Sequence, residues 1–350
     1  MRKLITSRRN AEGQDNASTR PHSCRAWNTH RSAESPEPTD EELQLTRQMG
    51  IEHVVLWTDG VHANYDYFVS RRDLFEKAGL KIYGFGNFDV HNQDAIVLNL
   101  PDRNEKVDDY KRYINDLGRA GIPYTTYAHT GNGIWSTESE KTRGGALSRA
   151  FNLERADHGQ WNGTNFSLPL THGRKYSAEE IWNNYSSFIK DVTPVAEEAG
   201  VRIGIHPDDP PLPEIGGIPR SIFSSFDGYM NALDIADSPN VGICFCVGCW
   251  LEGGKLMGRD VLESIEYFGE RDKIFKVHFR NIDTPLPHFV ETFVDDGYMN
   301  MYQVMKVLVE VGFNGVVIPD HIPEMFNGHG GPYTYGHMNA LLKCAQEETS

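Results

Sequence analysis

Downstream of residue 50 the apolar positions alternate between two periods. Short continuous apolar runs bounded by glycine or polar residues predict buried strands at His53–Trp57, Leu80–Phe85, Ile122–Tyr127, Val201–Ile205, Val241–Cys246, Ile274–Phe279 and Val316–Pro319. Between them, apolar residues recur three or four positions apart, predicting helices over Tyr67–Ala78, Lys106–Ala120, Ala178–Ala199, Ile222–Ala236, Asp260–Phe268, Asn300–Val311 and Gly336–Gln346. Thr39 and Glu42 have the spacing of a capping box, which opens a further helix over Asp40–Met49. Gly79, Gly121, Gly200 and Gly312 each stand between a helix and a strand, where a helix ends in a left-handed residue. Strands that alternate with helices in this way form a parallel sheet, because each return to the same direction needs a crossover.

Seven strands are one short of a closed (β/α)8 barrel. The eighth has to precede Asp40, and Lys3–Thr6 or a stretch near Cys24–Trp27 are the only candidates. Residues 1–38 are otherwise polar and without period, so they read as a flexible extension, and 39–350 as a single barrel domain. Its first strand is poorly defined. A long polar, glycine-rich insertion, about 129–176, follows an early strand and carries Trp135, Trp161, Arg143 and Arg149. Following a barrel strand, it is expected to overhang the face where such barrels place their chemistry.

Charge narrows the partners. A formal net charge of −15, from 34 basic and 49 acidic residues, repels nucleic-acid phosphates and anionic membrane surfaces, so neither is expected as a partner. No apolar stretch approaches the ~20 residues that cross a bilayer, and the N-terminus lacks the apolar core of a signal peptide. Three of the five cysteines crowd into Cys244, Cys246 and Cys249, unlike a secreted disulfide framework. A cytoplasmic protein is the expectation.

The chemistry lies at the strand ends. His206, Cys246, His278 and Asp320 each close or follow one of four successive strands, at spacings of 40, 32 and 42 residues that each fit one strand, one helix and two loops. Strand ends of a parallel barrel converge on one face, so these four residues can meet around one divalent cation. Two imidazoles, a thiolate and a carboxylate suit Zn²⁺, Fe²⁺ or Mn²⁺ and disfavour Mg²⁺ or Ca²⁺. His321 follows Asp320 and is placed for proton transfer. Arg280 and Asn281 leave the His278 strand, where a guanidinium can grip a carboxylate. Asp208 and Asp209, stiffened between Pro207 and Pro210–Pro211, are candidates for orienting a ligand or holding substrate hydroxyls.

These residues resemble a known family. Ile205–Pro211 reads Ile-His-Pro-Asp-Asp-Pro-Pro and is followed by Ile218-Pro219-Arg220, Cys246 with Gly248, Val277-His278-Phe279-Arg280-Asn281 and Pro319-Asp320-His321, in that order. The run is similar to the D-mannonate dehydratase family of the xylose-isomerase-like barrels, over about residues 200–325 and more weakly over 50–130. The resemblance implies dehydration of D-mannonate to 2-dehydro-3-deoxy-D-gluconate with Mn²⁺ or Fe²⁺. It implies metal ligands at His206, Cys246, His278 and Asp320, a catalytic histidine at His321, a catalytic tyrosine at Tyr333 or, failing that, Tyr335, and a homo-oligomer, dimer or tetramer. Cys249 and Trp250 depart from it, standing where small residues often follow the ligand cysteine's glycine. A sugar isomerase or epimerase on the same barrel is the competing enzyme, although such enzymes commonly use acidic ligands and bases. A non-catalytic metal- or sugar-binding barrel competes from another class.

Overall fold

The computed structural model describes residues 26–29 and 37–350. Eight parallel strands pair in chain order: β1 Ala26–Thr29, β2 His53–Thr58, β3 Lys81–Asn87, β4 Tyr124–Tyr127, β5 Arg202–Ile205, β6 Val241–Cys246, β7 Ile274–His278 and β8 Val316–Ile318. The first and last strands lie against each other, so the sheet curls into a barrel. Strand β1 overlaps the Cys24–Trp27 candidate; the alternative at Lys3–Thr6 lies outside the described residues. Four residues carry no legible period of their own, and β1 is recognisable only by its register, Ala26 opposite His53 through Thr29 opposite Leu56.

A helix follows every strand: Asp40–Gln48, Tyr65–Lys77, Arg103–Arg119, Ala178–Ala199, Phe226–Ala236, Val261–Gly269, Met301–Glu310 and Gly330–Glu348. The Thr39–Glu42 capping box is formed in both directions. Gly79, Gly121, Gly200 and Gly312 all have positive φ, as left-handed helix ends require. The last helix starts six residues before the expected Gly336. Gly330, Gly331 and Pro332 hide its first turn, where a proline costs no hydrogen bond, and this early start puts both Tyr333 and Tyr335 on the helix.

Apolar side chains pack in two places. The larger core fills the layer between strands and helices, while Val55, Tyr83, Tyr124, Phe275, Val316 and Ile318 fill the barrel interior. Ile203 and Ile205 belong to the outer layer, so Gly204 between them faces inward, and a Cβ there would collide with the Tyr124 ring. The 129–176 insertion is ordered into antiparallel strands. Thr137–Lys141 and Leu147–Asn152 join His288–Thr292 and Asn281–Ile282, from the segment after β7, in a four-stranded sheet; Ile134–Trp135, His158–Trp161 and Thr164–Ser167 form a three-stranded one. The cover of paired strands, called the lid below for its position alone, is thus a composite of two loops far apart in sequence.

Among the described residues no helix is long and apolar enough to cross a membrane. Overpacking a filled interior costs about 1–3 kcal/mol. Gly204→Val is therefore expected to lower the urea midpoint of unfolding by a corresponding amount with an unchanged slope; an unshifted midpoint would show that the Tyr124 ring does not fill that space.

Candidate active site

The four strand-end donors meet. Cys246 and His278 are the last residues of β6 and β7, His206 follows β5 by one residue and Asp320 follows β8 by two. The ligand atoms of Cys246, His278 and Asp320 lie within 4.8 Å of one another, and His206 Nε2 is 3.2 Å from His278 Nδ1. His278 Nδ1 is also 3.4 Å from Asp320 Oδ1. Donors bound at ~2.0–2.3 Å from one ion sit at separations of this order, so the set fits a single divalent cation. The remaining ring nitrogens are held from behind: His206 Nδ1 donates to the Pro207 carbonyl at 2.7 Å, and His278 Nε2 lies 3.5 Å from Cys244 Sγ. Such outer partners fix which nitrogen faces the ion. Asp320 has φ 62°, a left-handed conformation that a non-glycine residue adopts at a cost, and its carboxylate is aimed at the cluster by that bend.

Arg280 lies at the bottom of this site. Its guanidinium is 1% exposed and donates to Glu291 at 2.7 Å and Glu252 at 2.7 Å, with Asp320 at 3.3 Å and Asp209 at 3.5 Å. The expectation that it would grip a substrate carboxylate meets a side chain whose two terminal amino groups already face buried acids, while its Nε has no hydrogen-bond partner. Gly248 makes room for it, since a Cβ at that position would overlap the guanidinium. Arg149, from the insertion, joins the same network with Asp209 at 2.5 Å and Glu291 at 2.9 Å. Burial, with Asp209 next, pushes the Glu252 carboxyl well above the usual carboxylate range. Burial also raises Glu291, but Arg280 and His321 outweigh it and leave Glu291 below that range.

His321 lies in contact with both Arg280 and Glu291, its Nδ1 2.8 Å from Arg280 Nη1 and 2.9 Å from Glu291 Oε1. One nitrogen cannot accept from the first and donate to the second at once. We assign Nδ1–H to Glu291, because Arg280 Nη1 already donates to that carboxylate and the ionised carboxylate can only accept. Nε2 is then the nitrogen left to exchange a proton; burial disfavours the charged ring, but Glu291 and Asp320 outweigh it and raise the pKa. The ring lines a cavity of about 340 Å³ together with Ile134, Ser136, Arg149, His158, Gln160 and Trp161. Lid residues therefore wall the site.

The other sequence candidates divide differently. Asp209 is bound by two arginines, and Asp208 is buried 3.8 Å from Arg220, where burial, tempered by that arginine, raises its pKa to about 7. Asn281 is buried and spends its amide on the carbonyls of Val294 and Met299, bracing the segment after β7. Tyr333 holds its hydroxyl 3.2 Å from Arg143 Nη2, an arginine that also clamps Asp295 at 2.8 and 3.1 Å. Tyr335 is buried in the packed face of its helix. Of the two tyrosines, Tyr333 is the one with a half-exposed ring and a polar anchor.

Several residues were missed from sequence. Glu252 and Glu291 look like ordinary helix and strand carboxylates until the fold buries them. Trp57, Phe88, His91 and Trp161 form an aromatic group, with Trp57 to His91 at 5.0 Å and His91 to Trp161 at 5.1 Å, and Trp161 Nε1 ties the lid to the Phe88 carbonyl at 2.9 Å. His91 Nδ1 is buried without a hydrogen-bond partner. Burial, then nearby His206, keeps that imidazole neutral by pushing its pKa well down. The tryptophans were visible as lid and strand-end residues, but no local pattern pairs them.

The barrel has the xylose-isomerase-like fold. A xylose isomerase domain protein from Planctomyces limnophilus superposes with a TM-score of 0.60 at 13% identity, covering 94% of this chain and 99% of that one. The crystal structure of mannonate dehydratase from Streptococcus suis serotype 2 superposes with a TM-score of 0.80 at 25% identity, covering 94% and 96%. Mannonate dehydratase of Streptococcus pneumoniae is 32% identical over 269 residues, 71% of this chain and 72% of its own length, and that of Thermotoga maritima 28% over 287, covering 73% and 77%. The D-mannonate dehydratase (UxuA) family model matches residues 41–346. The chain belongs to the D-mannonate dehydratase family.

Glu291→Gln keeps the shape of the His321 partner and removes its charge. Loss of such an orienting partner typically costs about 10–100-fold, so kcat should fall by that factor while metal content by elemental analysis is unchanged. Wild-type kcat in this variant would sink the His321–Glu291 assignment.

Proposed function

We propose that this protein is a hydro-lyase that converts D-mannonate to 2-dehydro-3-deoxy-D-gluconate and water, with Mn²⁺ or Fe²⁺ held by His206, Cys246, His278 and Asp320. The observation that carries the reading is the meeting of these four donors beside a histidine whose Nδ1 is engaged by a buried glutamate. A single thiolate among nitrogen and oxygen donors also accepts Zn²⁺, so the native ion follows from availability as well as affinity. When bound, the cation supplies positive charge for the substrate's carboxylate and C2 hydroxyl oxygens.

The chain's own groups do the rest. His321 Nε2 removes the C2 proton, and Glu291 steadies the imidazolium that forms through the Nδ1–H bond. The Tyr333 hydroxyl, held by Arg143, protonates the departing C3 hydroxyl, which leaves as water. The electron pair from the C2–H bond becomes the C2–C3 double bond, and the enol then tautomerises to the 2-keto acid. His91, neutral and with a vacant Nδ1, and the Trp57 and Trp161 rings offer a wall for the hydroxylated carbon chain. Trp161, anchored to the Phe88 carbonyl, covers part of this chamber. A homo-oligomer is the assembly that the family resemblance supports, and the cytoplasm the setting that the crowded Cys244, Cys246 and Cys249 support.

The test is anaerobic purification, elemental analysis and a screen of aldonates for 2-keto-3-deoxy products. D-mannonate should be consumed with product formation, chelation should abolish it, and Mn²⁺ or Fe²⁺ should restore it. His321→Asn should lower kcat by about 10²–10⁴-fold at unchanged metal content. Turnover of a ketose or epimerisation of a sugar by the loaded protein, with mannonate untouched, would overturn the reading.

A further inference from the structure

Cys249 is the departure from the family pattern for which the proposed reaction has no use. It closes a Cys246-Val247-Gly248-Cys249 run in which the first sulfur belongs to the donor set. The two sulfurs lie within 4.8 Å of each other. The Cys249 amide donates to Cys246 Sγ at 3.4 Å, and Arg280 Nη2 approaches Cys249 Sγ at 3.4 Å and Cys246 Sγ at 3.5 Å. Cys246 is the extended N-cap of the short helix Val247–Gly253 and Cys249 lies in its first turn, so the two side chains meet at one helix end. Side-chain rotation with a small backbone adjustment brings such a pair to the ~3.5–4.5 Å Cβ separation that a disulfide accepts. Cys244, the third sulfur of the cluster, is engaged elsewhere, against His278 Nε2.

We propose that Cys246 and Cys249 are a peroxide-sensitive dithiol that closes to a reversible disulfide and thereby withdraws Cys246 from the metal. The withdrawal rests on the ligand assignment made above; the disulfide does not. In the first step the Cys246 thiolate attacks one peroxide oxygen, the S–O bond forms, the O–O bond breaks and hydroxide leaves to become water, giving a sulfenic acid. In the second, the Cys249 sulfur attacks the Cys246 sulfur, the S–S bond forms, the S–O bond breaks and a second water departs with the Cys249 proton. Two thiols lose two electrons in all, and one peroxide is reduced to two waters. Both sulfurs are fully buried behind Arg280, whose other amino group touches His321 on the cavity wall. That geometry admits a small oxidant and bars a bulky one such as glutathione disulfide.

The experiment treats the full-length, metal-depleted protein with hydrogen peroxide, then alkylates, digests and reads the peptides by mass spectrometry. A Cys246–Cys249 crosslink is expected, lighter by two hydrogens, with loss of two titratable thiols, recovery on adding dithiothreitol, and loss of Mn²⁺ uptake while oxidised. Metal-loaded protein should resist, and glutathione disulfide should leave the pair reduced. Cys249→Ser should abolish the crosslink yet still take up Mn²⁺, and Cys244→Ser should still form it. Absence of the crosslink in the wild-type protein, or its survival in Cys249→Ser as another pairing, would overturn the proposal. A crosslink with undiminished Mn²⁺ uptake would uphold the dithiol and overturn instead the place of Cys246 among the ligands.

Discussion

The burial of one guanidinium governs this site. Arg280 is cut off from water and has to satisfy its charge within the protein, and it does so chiefly against Glu291 at 2.7 Å, with Asp320 and Asp209 farther out and Glu252 accepting a further hydrogen bond at 2.7 Å. Removing one partner of such a buried pair costs about 3–5 kcal/mol, because the other charge is left stranded. Glu252 comes from the short helix Val247–Gly253, and the other partners from the strand His288–Thr292, the segment just after β8 and the loop after β5. A single side chain thereby sets the relative positions of segments that the barrel alone would only bring near one another.

The consequence for chemistry is preorganisation. Glu291 holds His321 in one orientation, and Glu291 is itself held by Arg280 and Arg149. Cys246 receives a donor from the same guanidinium. Cys246, His321 and Glu291 are thus linked through Arg280 in one hydrogen-bonded unit. Gly248 is part of this arrangement through absence, since any side chain there would occupy the guanidinium's place.

The lid completes what the strands begin. Barrel strands contribute the donors, whereas the insertion contributes Arg149, the cavity wall and Trp161, and the segment after β7 contributes Glu291. The two lid segments pair strand to strand through Phe151 opposite Phe289, so the roof and the electrostatic floor are built from the same hairpins. This explains why an insertion of polar, glycine-rich composition is ordered: its backbone is satisfied by strand pairing and its arginine by buried acids.

Sequence by itself determined the barrel and the donors. Seven of the eight strands and the long helix after each strand were legible because each carries its own period, and His206, Cys246, His278 and Asp320 were legible as strand-end residues, which a parallel barrel gathers on one face. Strand β1, the lid sheets and the first turn of the last helix were not, since four residues, alternating polar pairs and a glycine-rich start have no local signature. Only tertiary structure decided that Arg280 faces inward to acids instead of outward to substrate, that Glu291 reaches His321 across thirty residues, and that His91 meets two tryptophans. Those assignments depend on burial and on through-space pairing, and neither quantity is a property of a residue's neighbours along the chain.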